Sequence, residues 1–423
     1  MANKIQTVKG TREFYPEEMA LRNYLYSKVR AASQAFGYQE WDGPFIESIE
    51  LYAAKSGEEL VKKQSFTFED RGGDLVTLRP ELTPSLARMV AAKQNELTYP
   101  VRWWSFGPFW RYEQPQKGRS REFFQWNIDM LGVNSPEADA ELIAIAATFL
   151  RSVKLDPGRA SIYVNNRCLM ESQFDAIGIA PEKRLDVSNV VDRRSKMDAA
   201  KWDAYVLDSG LTQSQLNGLK AILSNFDLWK QSDELVRLFA ALDALGVKEY
   251  VKFDPNIVRG LLYYTSTVFE AFDTSGSVKR SILGGGRYDN LLADVGGAPL
   301  PATGFAMGDV VIGIVLQEAG LLPEFVPTPA SVLVTVFDES MWLKSYGLAA
   351  QLREAGLNVM VYPEPAKLQK QFKFADKMKV RVVVTVGPDE DAKGLAAVKD
   401  LLSGEQVTVT REALVEEIRK VIG

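Results

Sequence analysis

The segment WRYEQPQKGRSREFFQWNIDML, residues 110–131, contains the pattern that decides the fold. Within residues 123–131 polar and apolar residues alternate strictly from Phe124 to Met130, so that Gln125, Asn127 and Asp129 share one face. Such alternation is typical of antiparallel strands with one buried face, whereas parallel strands are usually apolar on both faces. The segment therefore predicts an antiparallel sheet. Its polar face has two interpretations, a surface exposed to solvent or a functional surface, and this strand alone favours neither.

The first half of the same segment is strongly basic, although the whole chain has a formal net charge of −5. Four cations occur close together: Arg111, Lys117, Arg119 and Arg121. Residues 114–120 are predicted to form a loop between two strands. Guanidinium groups suit the bidentate binding of phosphate or carboxylate, and the neighbouring Phe123 is suited to stacking on a flat ring. The pattern favours an anion site over a charged hairpin that only meets water.

Length and composition narrow the possible classes of protein. A chain of 423 residues is expected to form two or three domains, and 46% hydrophobic with 25% charged residues is typical of a soluble globular protein. The N-terminal residues MANKIQTVKG lack the apolar region of a signal peptide, and no apolar run approaches membrane-spanning length. The single cysteine, Cys168, is predicted to be a buried thiol in a cytoplasmic protein.

The sequence contains no histidine. This excludes an imidazole general base, a Ser-His-Asp triad and a zinc site with histidine ligands. Any proton transfer must use carboxylates, lysines, tyrosines or the substrate itself.

Periodicity divides the chain into segments. Helical spacing is found at 17–36, 137–153 and 232–245, and in the polar segment 181–231, which is predicted to be an insertion. Residues 317–330 contain three prolines and are predicted to be a linker. Strands alternate with a helix beyond it, which predicts a small doubly wound α/β domain at 331–423.

Three further stretches contain candidate binding residues. In LRPELTPSLAR, residues 78–88, Glu81 and Thr83 are predicted to share a face of an extended segment and to surround an ammonium group. In VRGLLYYTSTVFE, residues 258–270, Arg259 begins an aromatic strand that includes Tyr264. In LGGGRYDNLL, residues 283–292, three glycines allow close approach of a backbone or ligand, and Tyr288 follows. Each signal is weak alone.

Together these stretches resemble the class II histidyl-tRNA synthetases over nearly the whole chain. KGTREFYPEE is similar to the N-terminal segment of that family, and YQEWDGPFIESIELYAAKSGEE to its motif 1 region, which forms a dimer interface. LRPELTP and FWRYEQPQKGRSREFFQW resemble the amino-acid loop and motif 2. VRGLLYYTSTVFE and GGGRYDNLL resemble the two segments peculiar to histidine recognition, and KLQKQFKFADK resembles the anticodon-binding domain.

The resemblance implies a fold and a function. The fold would be α+β, with a class II antiparallel sheet flanked by helices at 1–325, a helical insertion at 170–240, and an anticodon-binding α/β domain at 331–423. The activity would be that of a histidine–tRNA ligase, which activates L-histidine with ATP and Mg²⁺ and transfers it to tRNA(His). The protein would be a cytoplasmic homodimer, and no residue of the chain is predicted to bind a metal directly.

The resemblance also implies roles for individual residues. ATP would contact Arg111, Glu113, Arg119 and Phe123. Histidine would contact Glu81, Thr83 and Gln125 through its ammonium group, and Asp129, Tyr264 and Tyr288 through its imidazole. Arg111 and Arg259 would be the catalytic cations at the carboxylate and the α-phosphate. The tRNA would contact Gln116 and Lys117 at the loop tip and Lys370, Lys373 and Lys377 in the C-terminal domain.

The lysines of the C-terminal domain have independent support. Residues 366–381 contain six cations and one acid, and three of the lysines recur at helical spacing. A lysine stripe is more often a solvated helix face, but beside a synthetase-like body it favours nucleic acid.

The sequence departs from the family pattern in motif 3, TGFAMGDVVIGIVL, residues 303–316. Val311 occupies the position of an arginine that grips the γ-phosphate in the family. Leu262, Ser266 and Asp129 also replace commoner residues. These departures leave an alternative open, the histidine-binding regulatory subunit of ATP phosphoribosyltransferase, which does not charge tRNA. The anticodon-binding segment and the retained Arg259 oppose that alternative.

Overall fold

A computed structural model describes residues 5–53, 64–258, 264–290, 292–324 and 328–423. The chain forms two compact units. The first comprises Met1–Glu13 and Leu21–Pro323, and the second comprises Phe14–Ala20 and Glu324–Gly423. Within the described ranges, no helix combines the length and the apolar composition needed to cross a membrane.

The first unit is built on an eight-stranded sheet. Its strands in chain order are β1 (Gln39–Glu40), β5 (Val101–Trp110), β6 (Glu122–Leu131), β7 (Ala160–Asn166), β8 (Val251–Phe253), β9 (Thr267–Asp273), β10 (Leu283–Arg287) and β11 (Ala302–Gly308). Their spatial order is β1-β5-β6-β11-β10-β9-β7-β8, and among these described strands only the two outermost pairs are parallel. The antiparallel sheet predicted from residues 123–131 is therefore confirmed, since β6 pairs antiparallel with both β5 and β11.

Helices cover the apolar face of this sheet. On β6 that face consists of Phe124, Trp126, Ile128 and Met130, of which the last three are buried in the main core. Helices α1 (Pro16–Ala35), α4 (Pro136–Ser152) and α10 (Asp309–Glu318) contribute to the same core. The hydroxyl of Ser135 caps α4 by accepting a hydrogen bond from the amide of Ala138. The opposite face of the sheet is thereby left for the site.

Two shorter helices and a small sheet complete this part of the unit. Helices α2 (Glu50–Ala53) and α3 (Thr83–Ala92) flank a three-stranded sheet of order β2-β4-β3, made of β2 (Ile46–Ser48), β3 (Phe66–Glu69) and β4 (Leu75–Leu78). Both pairings in it are antiparallel.

The region predicted to be a helical insertion is helical. It contains α5 (Arg167–Ala176), α6 (Arg184–Arg193), α7 (Ala199–Asp208), α8 (Gln213–Leu223) and α9 (Asp233–Ala244). Asp198, Thr212 and Ser232 cap the last three of these helices. One prediction about this region is wrong: Cys168, in the first turn of α5, is exposed rather than buried, and its thiol donates to the carbonyl of Thr265.

The second unit has a five-stranded sheet of order β13-β12-β14-β15-β16. Its elements are β12 (Val332–Val334), α11 (Trp342–Glu354), β13 (Val359–Val361), α12 (Leu368–Lys377), β14 (Val382–Thr385), α13 (Pro388–Ala392), β15 (Leu395–Asp400), β16 (Gln406–Thr410) and α14 (Leu414–Ile422). The first three strands are parallel, as predicted, but β15 and β16 are antiparallel. The short connections before these two strands leave no room for the long crossover that parallel pairing requires.

Candidate active site

The polar face of β6 lies on a floor of small residues. In register with Asn127 and Gln125, β5 presents Ser105 and Gly107, and β11 presents Ala306 and Gly308. Farther along the same face, Gly304 and Gly286 stand side by side on β11 and β10. Because side chains this small leave space above the sheet, the face forms a depression rather than a flat surface.

This face is buried, which decides between the two interpretations of the strand. Asn127 and Asp129 each keep only 5% of their surface exposed. Buried polar side chains are costly unless they have partners or a function, so the functional interpretation is favoured over a face that only meets solvent.

Asp129 lies at the closed end of the depression. The hydroxyl of Tyr288 donates a hydrogen bond to its Oδ1 at 2.5 Å. Burial raises the pKa of Asp129 to about 7, although the hydrogen bond from Tyr288 acts in the opposite direction. A β-carbon on Gly304 would lie only 2.0 Å from Oδ1 of Asp129, so this carboxylate depends on a glycine in the adjacent strand.

Tyr264 closes the same end. A β-carbon on Gly286 would lie 2.8 Å from a ring carbon of Tyr264, and Gly286 is the register partner of Gly304. Tyr264 and Tyr288 are buried in one apolar cluster. The structure thus brings together the three residues predicted to surround the imidazole.

Arg111 connects two segments that are distant in the sequence. Its Nε donates to the carbonyl of Pro80 at 2.9 Å, and its guanidinium carbon lies 5.4 Å from the ring centroid of Phe123. The segment that contains Glu81 and Thr83 therefore lies beside the open end of the depression, where Gln125 is half-buried.

The prediction of an extended segment at Glu81 and Thr83 is wrong in one respect. Thr83 is the first residue of α3, so the two side chains are not related by strand alternation. Pro84 lies in the first turn of this helix, where its missing N–H costs no hydrogen bond, and its fixed φ suits a helix start. The two prolines that suggested an extended conformation thus mark a helix start.

A cavity of about 260 Å³ opens next to Arg111. Its walls include all four residues predicted to contact ATP, together with Arg280 and Val311: Arg111, Glu113, Arg119, Phe123, Arg280 and Val311. Arg119 forms an ion pair with Glu113 at 2.9 Å. Within the described ranges, no group of three or more acidic or cysteine side chains is placed to hold a metal ion.

The tip of the basic loop is a tight turn. Gln116 and Arg119 exchange two backbone hydrogen bonds, and Gly118 has a φ of +80°, which favours glycine. Gln116 is exposed, and Lys117 is exposed apart from an ion pair with Glu318 at 2.7 Å. The tip is therefore accessible to a large ligand.

The three candidate lysines of the second unit lie on α12. Lys370, Lys373 and Lys377 are exposed, and Lys370 pairs with Glu364 at 3.0 Å. Gln371, on the opposite side of the helix, is buried and binds the backbone of Val336. The lysines thus form the outer face of a helix that is fixed to the sheet.

Arg259 and Leu262 lie outside the described residues. The hydroxyl of Ser266, one of the residues that depart from the family pattern, donates a hydrogen bond to the carboxylate of Glu234 at 3.1 Å. Asp309 is buried at the start of α10 and forms an ion pair with Arg12 at 2.9 Å. Its carboxylate also accepts a hydrogen bond from the backbone amide of Phe124. Asp309 therefore joins this helix to β6.

Two residues of the site were not among the sequence predictions. The first is Asn127, which lies between Gln125 and Asp129 on one face of β6. Its side-chain nitrogen Nδ2 is buried and has no hydrogen-bond partner among the described residues. The alternation of β6 already placed Asn127 on this face. Arg280 gave no sequence signal, because it belongs to an unremarkable segment far from the basic loop.

Comparisons with known proteins identify the family of this chain. Residues 10–309 match the family model for histidyl-tRNA synthetase, and residues 331–421 match the model for an anticodon binding domain. The histidine–tRNA ligase of Leptospira biflexa is 36% identical over 426 residues, which cover 98% of this chain and 97% of that protein.

Solved structures show the same fold. Histidyl-tRNA synthetase from Nostoc sp. PCC 7120 superposes with a TM-score of 0.86 at 28% identity, covering 99% of both chains. A Bacillus halodurans protein described as an ATP phosphoribosyltransferase regulatory subunit/histidyl-tRNA synthetase superposes with a TM-score of 0.75 at 20% identity. The match covers 90% of this chain and 97% of the Bacillus halodurans chain. The second likeness concerns the fold alone. The α+β fold predicted from the sequence is confirmed, and the chain belongs to the histidyl-tRNA synthetase family.

Proposed function

We propose that this chain is a histidine–tRNA ligase, which forms histidyl-adenylate from histidine and ATP and then charges tRNA(His). One observation carries the proposal: the cavity with three arginines and the depression that ends at Asp129 meet where Arg111 touches the 80–83 segment. A nucleotide in the cavity and an amino acid in the depression would bring phosphate and carboxylate together at that point.

The chemistry fits these residues. The histidine carboxylate attacks the α-phosphate, so two anions must approach each other and negative charge grows in the transition state. Arg111 offsets that repulsion from a fixed position, because its Nε is held by the carbonyl of Pro80. The carboxylate arrives ionised and needs no general base, and alignment of the reactants supplies much of the rate. A chain without histidine can therefore catalyse this step.

Recognition of histidine is assigned to the depression. Ionised Asp129 accepts a ring N–H, Tyr264 and Tyr288 enclose the ring, and the ammonium group is assigned to Glu81, Thr83 and Gln125. Glu113 and Phe123 are assigned to the adenine. Arg259 is proposed as the second catalytic cation on the resemblance alone.

A magnesium ion can arrive with the triphosphate without a binding site made by the protein alone. Mg²⁺ usually keeps several waters besides phosphate oxygens, and Glu113, the carboxylate among the described residues that line the cavity, is paired with Arg119 and is assigned to the adenine. The ion would supply charge neutralisation for the phosphates.

The decisive experiment is pyrophosphate exchange. Purified protein should incorporate labelled pyrophosphate into ATP only when histidine is present. If histidine binds by calorimetry while exchange stays absent, the chain acts instead as a histidine-binding regulatory subunit. The match to an anticodon-binding model makes that second outcome the less expected one.

Residues 331–423 are proposed to form the anticodon-binding domain, and residues 1–325, with the insertion at 170–240, to form the catalytic core.

The double substitution Lys373→Glu and Lys377→Glu should raise the KM for tRNA at least about 10-fold, because each phosphate contact contributes to the affinity. Pyrophosphate exchange, which needs no tRNA, should be unchanged. A matched double substitution, Lys196→Glu and Lys201→Glu on the insertion, is the control. Equal effects on tRNA KM from both pairs would contradict the assignment to α12.

The chain is proposed to act as a homodimer in the cytoplasm, where an exposed thiol such as Cys168 stays reduced. The dimer is assigned to the small sheet β2-β4-β3. One face of it carries only half-buried or exposed side chains, and most of them are apolar: Ile46, Ser48, Phe66, Phe68, Val76 and Leu78. A continuous apolar surface of this kind marks an interaction site.

Ile46→Asp is expected to convert the dimer into monomers at micromolar concentration, because a carboxylate would be buried without a partner. Sedimentation velocity measures the change. Leu75→Asp is the matched control, since Leu75 is equally exposed but lies on the opposite face of β4. Dimers that persist in Ile46→Asp would show that another surface joins the subunits.

A further inference from the structure

We propose that Arg280 binds the outer phosphates of ATP and supplies the cation that is missing at position 311. The inference rests on the proposed ligase function and names a residue to which the family resemblance gave no role. It is carried by the position of Arg280 in the cavity, by the absence of a partner for Arg280 among the described residues and by the charge around it.

Arg280 reaches the cavity from the segment that precedes β10. A β-carbon on Gly118 would lie 2.9 Å from Cδ of Arg280 and 3.7 Å from a methyl carbon of Val311. The tip of the basic loop, the side chain of Arg280 and the start of α10 therefore meet at one wall of the cavity. Val311 gives this wall an apolar surface, and Arg280 gives it a charge.

Within the described ranges, Arg280 makes neither a hydrogen bond nor an ion pair. Its pKa is lowered by burial and by the charge of Arg119, and only Glu113 acts in the opposite direction. A cation held beside another cation is unfavourable unless an anion joins them. The arrangement is thus prepared for a ligand with negative charge.

The charge balance of the cavity supports the same conclusion. Among the described residues that line the cavity, three arginines, Arg111, Arg119 and Arg280, face one carboxylate, Glu113, which is already paired with Arg119. The excess of two positive charges suits a polyanion. With Arg111 at the α-phosphate and Phe123 at the base, the outer phosphates are left for Arg119 and Arg280.

The assignment has a consequence for the reaction. The bond between the histidine carboxylate oxygen and the α-phosphorus forms while the bond from that phosphorus to the bridging oxygen breaks. Pyrophosphate leaves with the electron pair and gains negative charge. A guanidinium at the outer phosphates stabilises that departing charge, so Arg280 should assist both binding and reaction.

The test compares nucleotides with and without the outer phosphates. Arg280→Ala is expected to raise the KM for ATP about 30- to 100-fold in histidine-dependent exchange, in line with the loss of a charge-assisted contact. The affinity for AMP, measured by calorimetry, should stay within about twofold, because AMP lacks those phosphates. Arg280→Lys should recover most of the ATP affinity, since it restores the charge.

Lys279→Ala is the matched control, because it removes the adjacent exposed cation, which does not line this cavity. A normal ATP KM in Arg280→Ala would overturn the proposal, and so would an equal loss of affinity for ATP and AMP. Thermal melting of each variant separates these results from unfolding. Absence of exchange in the unmodified protein would contradict the ligase function itself and not the role of Arg280.

Discussion

Arg111→Ala is expected to lower kcat/KM for histidine-dependent pyrophosphate exchange by about 1000-fold or more. Arg111 is the cation at the junction of the nucleotide cavity and the amino-acid depression, so its loss leaves the approach of two anions uncompensated. Arg111→Lys should recover only a small part of the lost activity. An ammonium group cannot keep the hydrogen bond to the carbonyl of Pro80 and also bind two ligand oxygens in the bidentate geometry of a guanidinium group. The exchange assay and a melting curve measure activity and folding separately.

Arg102→Ala provides the matched control for that experiment. Arg102 lies on β5, the strand that ends just before Arg111, but its side chain points to the other face of the sheet and pairs with Glu141 at 3.0 Å. The Arg102→Ala variant should lose some stability and keep its pyrophosphate exchange activity. Near-normal exchange in Arg111→Ala, or a loss in Arg102→Ala as large as the loss in Arg111→Ala, would show that the catalytic cation lies elsewhere.

The antiparallel sheet was predictable because the sequence of β6 alone shows that one face of this strand is polar and the other is apolar. Asn127 and Asp129 alternate with Trp126 and Ile128, and a period of two survives any uncertainty in the strand ends. Burial of the polar face was not predictable, since it depends on which strands become neighbours. Only the register shows that Gly304 stands beside Asp129 and leaves room for its side chain.

Local rules failed where tertiary structure decided the outcome. The prolines at 80 and 84 suggested an extended segment, yet Thr83 starts a helix. Cys168 was expected to be buried as a small apolar side chain, yet it lies exposed in the first turn of α5. Arg280 meets the basic loop only through the folded sheet, and no spacing in the sequence links the two.

Asp129→Asn is expected to lower kcat/KM for histidine about 100- to 1000-fold at pH 8, where the ring is neutral. The variant keeps the size of the side chain and an oxygen for Tyr288, but it removes the charge that accepts the ring N–H. The KM for ATP should change little. If Asp129→Asn used histidine normally, another residue would have to recognise the imidazole.

A triazole analogue of histidine, whose ring stays uncharged across this range, separates the titration of the protein from that of the ligand. Because the pKa of Asp129 is about 7, use of the analogue by the unmodified protein should rise between pH 6 and pH 8. The same profile should be flat in Asp129→Asn. A profile that rises equally in both proteins would assign the titration to a different group.

The same substitution should stabilise the protein, and the sign follows from the pKa. An aspartate ionises near pH 3.9 in an unfolded chain, whereas Asp129 ionises at about 7 in the folded protein. Since the folded value is raised, the contribution of Asp129 to stability is fully present below about pH 4 and is lost as the pH rises through 7. A pKa shift of three units corresponds to at most about 4 kcal/mol of unfolding free energy at pH 8.

The side chain in Asp129→Asn cannot ionise, so the melting temperature of this variant should exceed that of the unmodified protein at pH 8.5 and match it more closely at pH 5. Saturating histidine should narrow the difference at pH 8.5, because the ring N–H gives the buried carboxylate a partner. A difference that does not depend on pH would mean that Asp129 is already ionised at low pH in the folded chain, and that the depression binds charge without cost.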